Sequence, residues 1–254
     1  MKRKLKWLIE STRTGIVHED EHLLVLDKPA NLLVLPDRYN NRLPNLYTIL
    51  NDELGKFFVV HRIDKETSGI IVFAKTAEAH AALNAQLEGR KVDKIYRAIV
   101  VGQPVSMDGS IDLPLAQSST DSGIVRADHQ KGKDALTYYT VVEKFRGYAL
   151  LEVRPKTGRM HQIRVHLGSI GLPILADRTY GGGEGFYLSQ VKSGYRAEGE
   201  EKPLLDRTAL HASAISFAHP ASGERVTFSA PLPKDMSSVL KYLRKFRARE
   251  EKSS

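Results

Sequence analysis

Residues 61–76 read HRIDKETSGIIVFAKT. This stretch passes from an extended arm to a turn, a strand and a helix cap. Phe57 to Asp64 looks extended, and side chains of an extended chain alternate between faces. Arg62 and Asp64 therefore share one face, opposite Val59, His61 and Ile63. Thr67-Ser68-Gly69 turn the chain, and Ile70 to Ala74 reads as an apolar strand. Thr76 then caps a helix over Ala77 to Leu87, which Gly89 ends. A charged pair thus stands at the end of an apolar segment, just before a turn. Rigid elements hold reactive groups at such exposed points. An ordinary Arg–Asp pair at a sheet edge, energetically weak, would leave the same trace.

Outward from this stretch, strands dominate. His22 to Asp27 reads as a strand, and Asp27 to Asn31 as a turn into another. Asn31 suits the turn because its short side chain tolerates left-handed backbone angles. Lys94 to Val101 is β-branched and strand-like, and residues 103–133 form a long polar connection or a pair of weak strands. Ala135 to Phe145 and Tyr148 to Val153 make a hairpin around Arg146-Gly147. A short helix spans about Arg159 to Leu167, and residues 181–202 form a mobile surface loop. Leu210 to Phe217 and Glu224 to Phe228 are strands joined through Pro220-Ala221-Ser222-Gly223. From Lys234 an amphipathic helix puts Val239, Leu240, Leu243 and Phe246 on one side, with Lys241, Arg244, Lys245 and Arg247 on the rest. Strands outnumber helices at irregular spacing. That predicts an α+β fold: a large mixed, mostly antiparallel sheet with flanking helices, not a doubly wound one.

Composition narrows the classes. The 254 residues are 41% apolar and 27% charged, which is globular. No apolar run approaches the roughly 18 residues of a membrane helix. The apolar part of the start, Trp7-Leu8-Ile9, is too short for a signal peptide core. A soluble, cytoplasmic chain is expected. Cysteine is absent, which excludes disulfides, thiolate metal sites and a cysteine nucleophile. The net charge of +8 favours a polyanionic partner, because each Lys or Arg that meets a phosphate releases counterions. No Walker-type loop, G-x-S-x-G elbow or H-E-x-x-H motif is present. No exposed heptad seam appears, so a monomer is expected.

Two further constellations stand out. Residues 157–167 read TGRMHQIRVHL. Thr157 is a candidate cap, and a helix N-terminus favours anions. Helical spacing puts His161 and Arg164 on one side, with Ile163 and Leu167 inward. A buried Arg164 needs a carboxylate, and Asp64 is a candidate. A phosphate-binding basic helix without catalytic role remains open. A zinc site on His161 and His166 is disfavoured, because a spacing of five misaligns the pair and no cysteine helps. In KIYRAIVVG (94–102), Tyr96 and Ala98 share a strand face, a place for a planar group to stack. A core tyrosine would look the same.

In this order the segments resemble the RluA family of pseudouridine synthases. The resemblance rests on Lys28-Pro29 with its turn, HRIDKETSGIIVFAKT, KIYRAIVVG, GRMHQIRVHL (158–167), GLPILADRTYG (171–181) and LHASAISFAHP (210–220). It implies a sheet split by a basic cleft, no cofactor and no metal, and isomerisation of uridine in tRNA or ribosomal RNA. It implies Asp64 as the essential aspartate, Tyr96 packed against the base and Arg164 paired with the aspartate. It also implies that Arg62 enters the RNA helix as the base leaves; His61, Arg159 and His161 are further candidates for RNA contact. A catalytic domain is expected over 16–233, between an N-terminal extension (1–15) and a basic C-terminal helix or tail (234–254). Too few residues precede it for the S4 RNA-binding domain of many relatives, so its absence is expected. Four positions depart from the family pattern: Ile63 for leucine, Met160 for threonine, and Asn31 and Ala176 for glycine.

Overall fold

A computed structural model describes residues 12–38 and 40–248. Most of the expected N-terminal extension, and Arg249 of the basic tail, lie outside the described residues. The chain forms two compact units. One runs up to Ile95 and includes His211–Pro231; the other is built from Tyr96–Leu210 and the chain from Leu232 onward.

In the first unit the elements are β1 (Gly15–Glu19), β2 (Leu23–Lys28), α1 (Leu46–Leu54), β3 (Phe58–Val59), β4 (Ser68–Ala74) and α2 (Ala77–Glu88). The last two strands of the chain, β11 (Leu210–Ala218) and β12 (Arg225–Ser229), complete it, β11 from His211 on. β2 lies antiparallel between β1 and β4, β3 pairs antiparallel with β4, and β12 pairs antiparallel with β11. The β4–β11 pairing is parallel, with His211 beside Ser68 and Ala212 beside Gly69. All seven residues of β4 are buried, as are Leu23 to Leu26 of β2. Burial on both faces explains why these segments read as continuous apolar runs instead of alternating ones. Leu23, Val25, Ile70 and Val72 pack with Ala79 and Leu83 of α2 and Ile215 and Phe217 of β11.

The predicted cap of α2 is present: Thr76 Oγ1 accepts from Ala79 N at 3.1 Å, and the helix closes at Gly89. α1 was not expected from the sequence. Its cap is Asn45, whose Oδ1 accepts from Thr48 N at 2.9 Å, and it buries only Leu46 and Leu50. No strand follows the turn at residues 27–31. Leu33 makes a single bridge to Asn45, the residue that caps α1. Asn31 adopts φ 65°, the left-handed conformation expected of it.

The second unit takes β5 (Asp93–Val101) from Tyr96 onward. Then come β6 (Asp108–Asp112), β7 (Leu115–Gln117), β8 (Val125–Ala127), β9 (Leu136–Phe145), β10 (Tyr148–Pro155), α3 (Gln162–Ser169) and α4 (Lys234–Phe246). β5, β10, β9 and β6 pair antiparallel in that order, and β7–β8 make a separate ribbon. The polar connection 103–133 thus contains three short strands. The hairpin forms as expected, with Gly147 at φ 81°. Residues 181–191 are anchored, while 192–202 are mostly exposed. Phe186 is fully buried and exchanges backbone hydrogen bonds with Leu204 and Leu205, each at 2.7 Å. α4 buries Met236, Val239, Leu240 and Leu243 in the same core as Leu151, Val153, Ile163 and Leu167. Each such side chain contributes roughly 1.5–3 kcal/mol. The C-terminal helix is therefore a core element and not an appended tail. The fold is α+β with mostly antiparallel pairing, and among the described residues no helix is long and apolar enough to cross a membrane.

Candidate active site

The candidate residues divide between the two units. Asp64, Arg62 and His61 belong to the first; Tyr96, Arg159, His161 and Arg164 belong to the second.

In the first unit, β3 stops at Val59, so residues 60–64 are not a strand and the expected alternation does not set their faces. Turn contacts position Asp64 instead. Thr67 N donates to Asp64 O at 3.1 Å, and Asn31 N donates to Lys65 O at 2.8 Å. The fastening group is Lys28 at the end of β2, which is wholly buried. Its Nζ donates to Pro29 O at 2.9 Å, Leu32 O at 2.8 Å and Lys65 O at 3.1 Å. An ammonium has three protons, and three carbonyls take them, which offsets the cost of burying the charge. Lys28 thereby clamps the turn at 28–32 to the loop that carries Asp64. Asp64 is half-buried, Ile63 is buried and Arg62 is exposed.

His61 differs from the expected RNA contact. Its Nε2 accepts from Val72 N at 3.2 Å, so that nitrogen carries no proton. Burial, reinforced by the Lys94 charge, lowers its pKa to about 3. His61 is thus a neutral acceptor that holds β4, and it offers no cation to a phosphate.

In the second unit, Tyr96 stands opposite Val153 and packs half-buried against the core, while Ala98 is completely buried. The turn before α3 departs from expectation. The helix begins at Gln162, and Thr157 does not cap it. Thr157 Oγ1 donates to Gln162 Oε1 at 2.7 Å and accepts from Leu136 N at 3.2 Å. Gln162 Nε2 donates to Leu136 O and Thr137 Oγ1, both at 3.0 Å. These bonds fasten the turn to β9 and leave His161 as the residue before the helix, left-handed at φ 53°. His161 is consequently not on a helical face with Arg164. Arg159 is exposed, with its Nε donating to Asp134 O at 3.0 Å.

Within its own unit, Arg164 finds its carboxylate in Asp177. The two groups make a bidentate pair at 2.7 and 2.8 Å, and both are buried. Thr179 N and Tyr180 N also donate to Asp177 Oδ1, at 3.0 and 3.1 Å. The guanidinium of Arg164 lies 4.9 Å from the centre of the Tyr180 ring. Asp177 is saturated by these partners, which fits a structural carboxylate and not a base that activates water. Ala176 takes φ 60°, a left-handed conformation, at a position where the family resemblance expects glycine. His166 is buried, with Nδ1 at 2.9 Å from Thr137 Oγ1 and Nε2 at 3.0 Å from Leu113 O. Both of its nitrogens are engaged, which removes it from any zinc pair with His161. Among the described residues no group of three or more His, Cys, Asp or Glu is placed to hold a metal ion.

Sequence reasoning passed over Lys28 as a functional residue, although Lys28-Pro29 stood in the motif set. It also passed over Tyr180, whose only trace was its place in GLPILADRTYG.

Residues 22–169 match the family described as RNA pseudouridylate synthase. The chain is 40% identical over 240 residues to the ribosomal large subunit pseudouridine synthase D of Zymomonas mobilis subsp. mobilis, covering 90% of this chain and 72% of that one. It is 39% identical over 249 residues to the protein of the same name from Pseudomonas aeruginosa, covering 95% and 75%. Among solved structures, human RNA pseudouridylate synthase domain containing 4 superposes with a TM-score of 0.68 at 27% identity, over 96% of this chain and 98% of that one.

Proposed function

We propose how this chain isomerises uridine to pseudouridine in RNA, starting from the fact that it belongs to the RluA-type RNA pseudouridylate synthase family. Asp64 is the catalytic carboxylate. The observation that carries this assignment is the clamp of Lys28 on the backbone at Lys65, next to Asp64. A buried ammonium is a costly device, and here it serves to hold one loop.

The reaction breaks N1–C1′, turns the base and rejoins it through C5, which gives up its proton while N1 gains one. An ordinary glycosidase needs two carboxylates, because the leaving sugar oxygen must be protonated. A uracil anion spreads its charge over its carbonyls and leaves without that help, so one ionised Asp64 suffices. The saturation of Asp177 supports this reading over a hydrolytic glycosylase, which would need a second carboxylate for water. Tyr96 receives the ejected base, and Arg164 stabilises the charged state of the site. Extruding the base costs a few kcal/mol. Arg62, exposed beside Asp64, offsets this by filling the gap in the stack. Arg159 and His161 contact the RNA. The names of the relatives support large-subunit ribosomal RNA as the substrate and the cytoplasm as the compartment.

Asp64→Asn tests the assignment. RNA affinity, read by filter binding, should stay within about threefold while single-turnover conversion is lost, as for a group used only in the transition state. Conversion at the wild-type rate would remove Asp64 from the chemistry.

A further inference from the structure

A groove of about 600 Å³ opens in the first unit, between the C-terminal end of α2 and the turn that joins β11 to β12. Gln86, Arg90, Lys91, Asp93, His219 and Arg225 are among its lining residues. Both walls are fixed. The Gln86 amide acts as an extra strand residue: its Nε2 donates to Ala218 O and its Oε1 accepts from Ala218 N, both at 2.8 Å. Across the groove, His219 Nε2 lies 3.0 Å from Asp20 Oδ2, and its Nδ1 accepts from Ala221 N and Ser222 N at 3.3 and 3.4 Å. A ligand need not order such walls in order to bind.

The charge of the groove is one-sided. Asp93 is the carboxylate among the lining residues, and it pairs with Arg225, whose Nη1 also donates to Lys91 O at 3.3 Å. Glu88 and Glu224, nearby in sequence, do not line the groove. Arg90 and Lys91 are exposed, and among the described residues no carboxylate pairs with either. The backbone singles out Arg90. α2 ends with Gly89 N donating to Ala85 O at 2.9 Å, Arg90 N to Leu87 O at 3.1 Å and Lys91 N to Gln86 O at 2.8 Å. The left-handed seat in this ending belongs to Arg90, at φ 56°, while Gly89 beside it has φ −73°. Glycine takes that seat freely and arginine does so under strain, and such strain gathers at functional positions.

The groove is remote from the Asp64 loop. β11 runs parallel to β4 with His211 beside Ser68, at the end that follows the Asp64 turn. Ala218 lies at the other end of β11, seven positions further on. At about 3.3 Å per residue the two ends are roughly 23 Å apart.

We propose that this groove is a second RNA contact, in which Arg90 and Lys91 hold backbone phosphates well beyond the nucleotide that reaches Asp64. The inference rests on the synthase reading above. No Phe, Tyr or Trp lines the groove, so it takes the backbone and stacks no base.

Arg90→Gly combined with Lys91→Gln removes both cations, and glycine suits the left-handed seat. In filter binding of a structured large-subunit ribosomal RNA fragment over a salt series, the double variant should lower the log–log slope by about 2. A hairpin too short to span roughly 23 Å should bind both proteins with one slope. The urea midpoint of Arg90→Gly should not fall below that of wild type. If the two cations served only the helix end, the midpoint would drop and the slope would stay. An unchanged slope with the fragment, or an equal loss with the hairpin, would overturn the proposal. Binding is read without turnover. A wild type that binds but converts no uridine would count against the synthase reading alone, and an active wild type with the slope of the double variant would count against this inference alone.

Discussion

Arg164 is 7% exposed and Asp177 is fully buried, so their paired hydrogen bonds join charges that water barely reaches. Breaking such a pair from one side leaves a bare buried charge, at a cost of about 3–5 kcal/mol. Arg164→Met should therefore lower the urea midpoint strongly, and adding Asp177→Asn should recover part of the loss. A single variant as stable as wild type would show that Asp177 does not depend on Arg164. The pair also bears on how activity data are read. On the role proposed for Arg164, lost turnover in Arg164→Met combines chemistry and fold, and the stability measurement separates them. His61 gives a second residue-scale test. Its folded pKa, about 3, lies below the ordinary 6.5, so the unfolded chain binds its proton first. The stability His61 contributes is complete above 6.5 and drains away as pH falls towards 3. His61→Gln should flatten the pH dependence of the urea midpoint across that window, and an unchanged slope would contradict a neutral His61. The sequence announced that Arg164 needed a carboxylate and offered Asp64 as the candidate, but it did not show the pairing with Asp177. Asp177 lies thirteen residues away, and the turn that returns it is set by backbone hydrogen bonds, not by a periodic pattern.

At the scale of elements, local chemistry was legible where it is strong and short-range. The Thr76 cap, the Arg146-Gly147 hairpin and the buried β4 all follow from residues within a few positions of one another. The α1 helix was missed because two buried leucines give too faint a periodicity. Thr157 was misread because a cap and a cross-link to β9 use the same hydroxyl. The clamp by Lys28 escaped for a related reason, since its acceptor at Lys65 is thirty-seven residues distant. One element is tested most sharply at Gly69. It has φ +109°, and a Cβ there would lie 2.2 Å from Ala212 O and 2.8 Å from Ala212 N in the parallel partner strand. Gly69→Ala should cost about 3 kcal/mol or more, through backbone strain and overpacking together. A shift in the thermal midpoint of less than a degree or so would show that the β4–β11 pairing yields easily. Because α4 is core, deletion from Lys234 would dismantle the second unit. Charge-removing variants of its exposed face, Lys241 and Lys245, are the sound way to ask whether this helix meets RNA.

For the whole molecule, the net charge of +8 and the absence of cysteine pointed to a polyanionic partner and away from thiol chemistry. Neither feature alone named a reaction. The ordered set of motifs did, and the family match and relatives agree with it. Phosphate contacts release counterions, so affinity for RNA should fall steeply with salt, and Arg159→Ala should reduce the log–log slope by about 1. An unchanged slope would place Arg159 off the phosphates. The central claim is that Asp64 drives isomerisation in ribosomal RNA. Its most direct test is tritium release from 5-tritiated uridine in large-subunit ribosomal RNA and, in parallel, in tRNA, with wild type beside Asp64→Ala. The account predicts release from the ribosomal RNA by wild type and none by the variant. Equal release by Asp64→Ala, or release from tRNA alone, would contradict it.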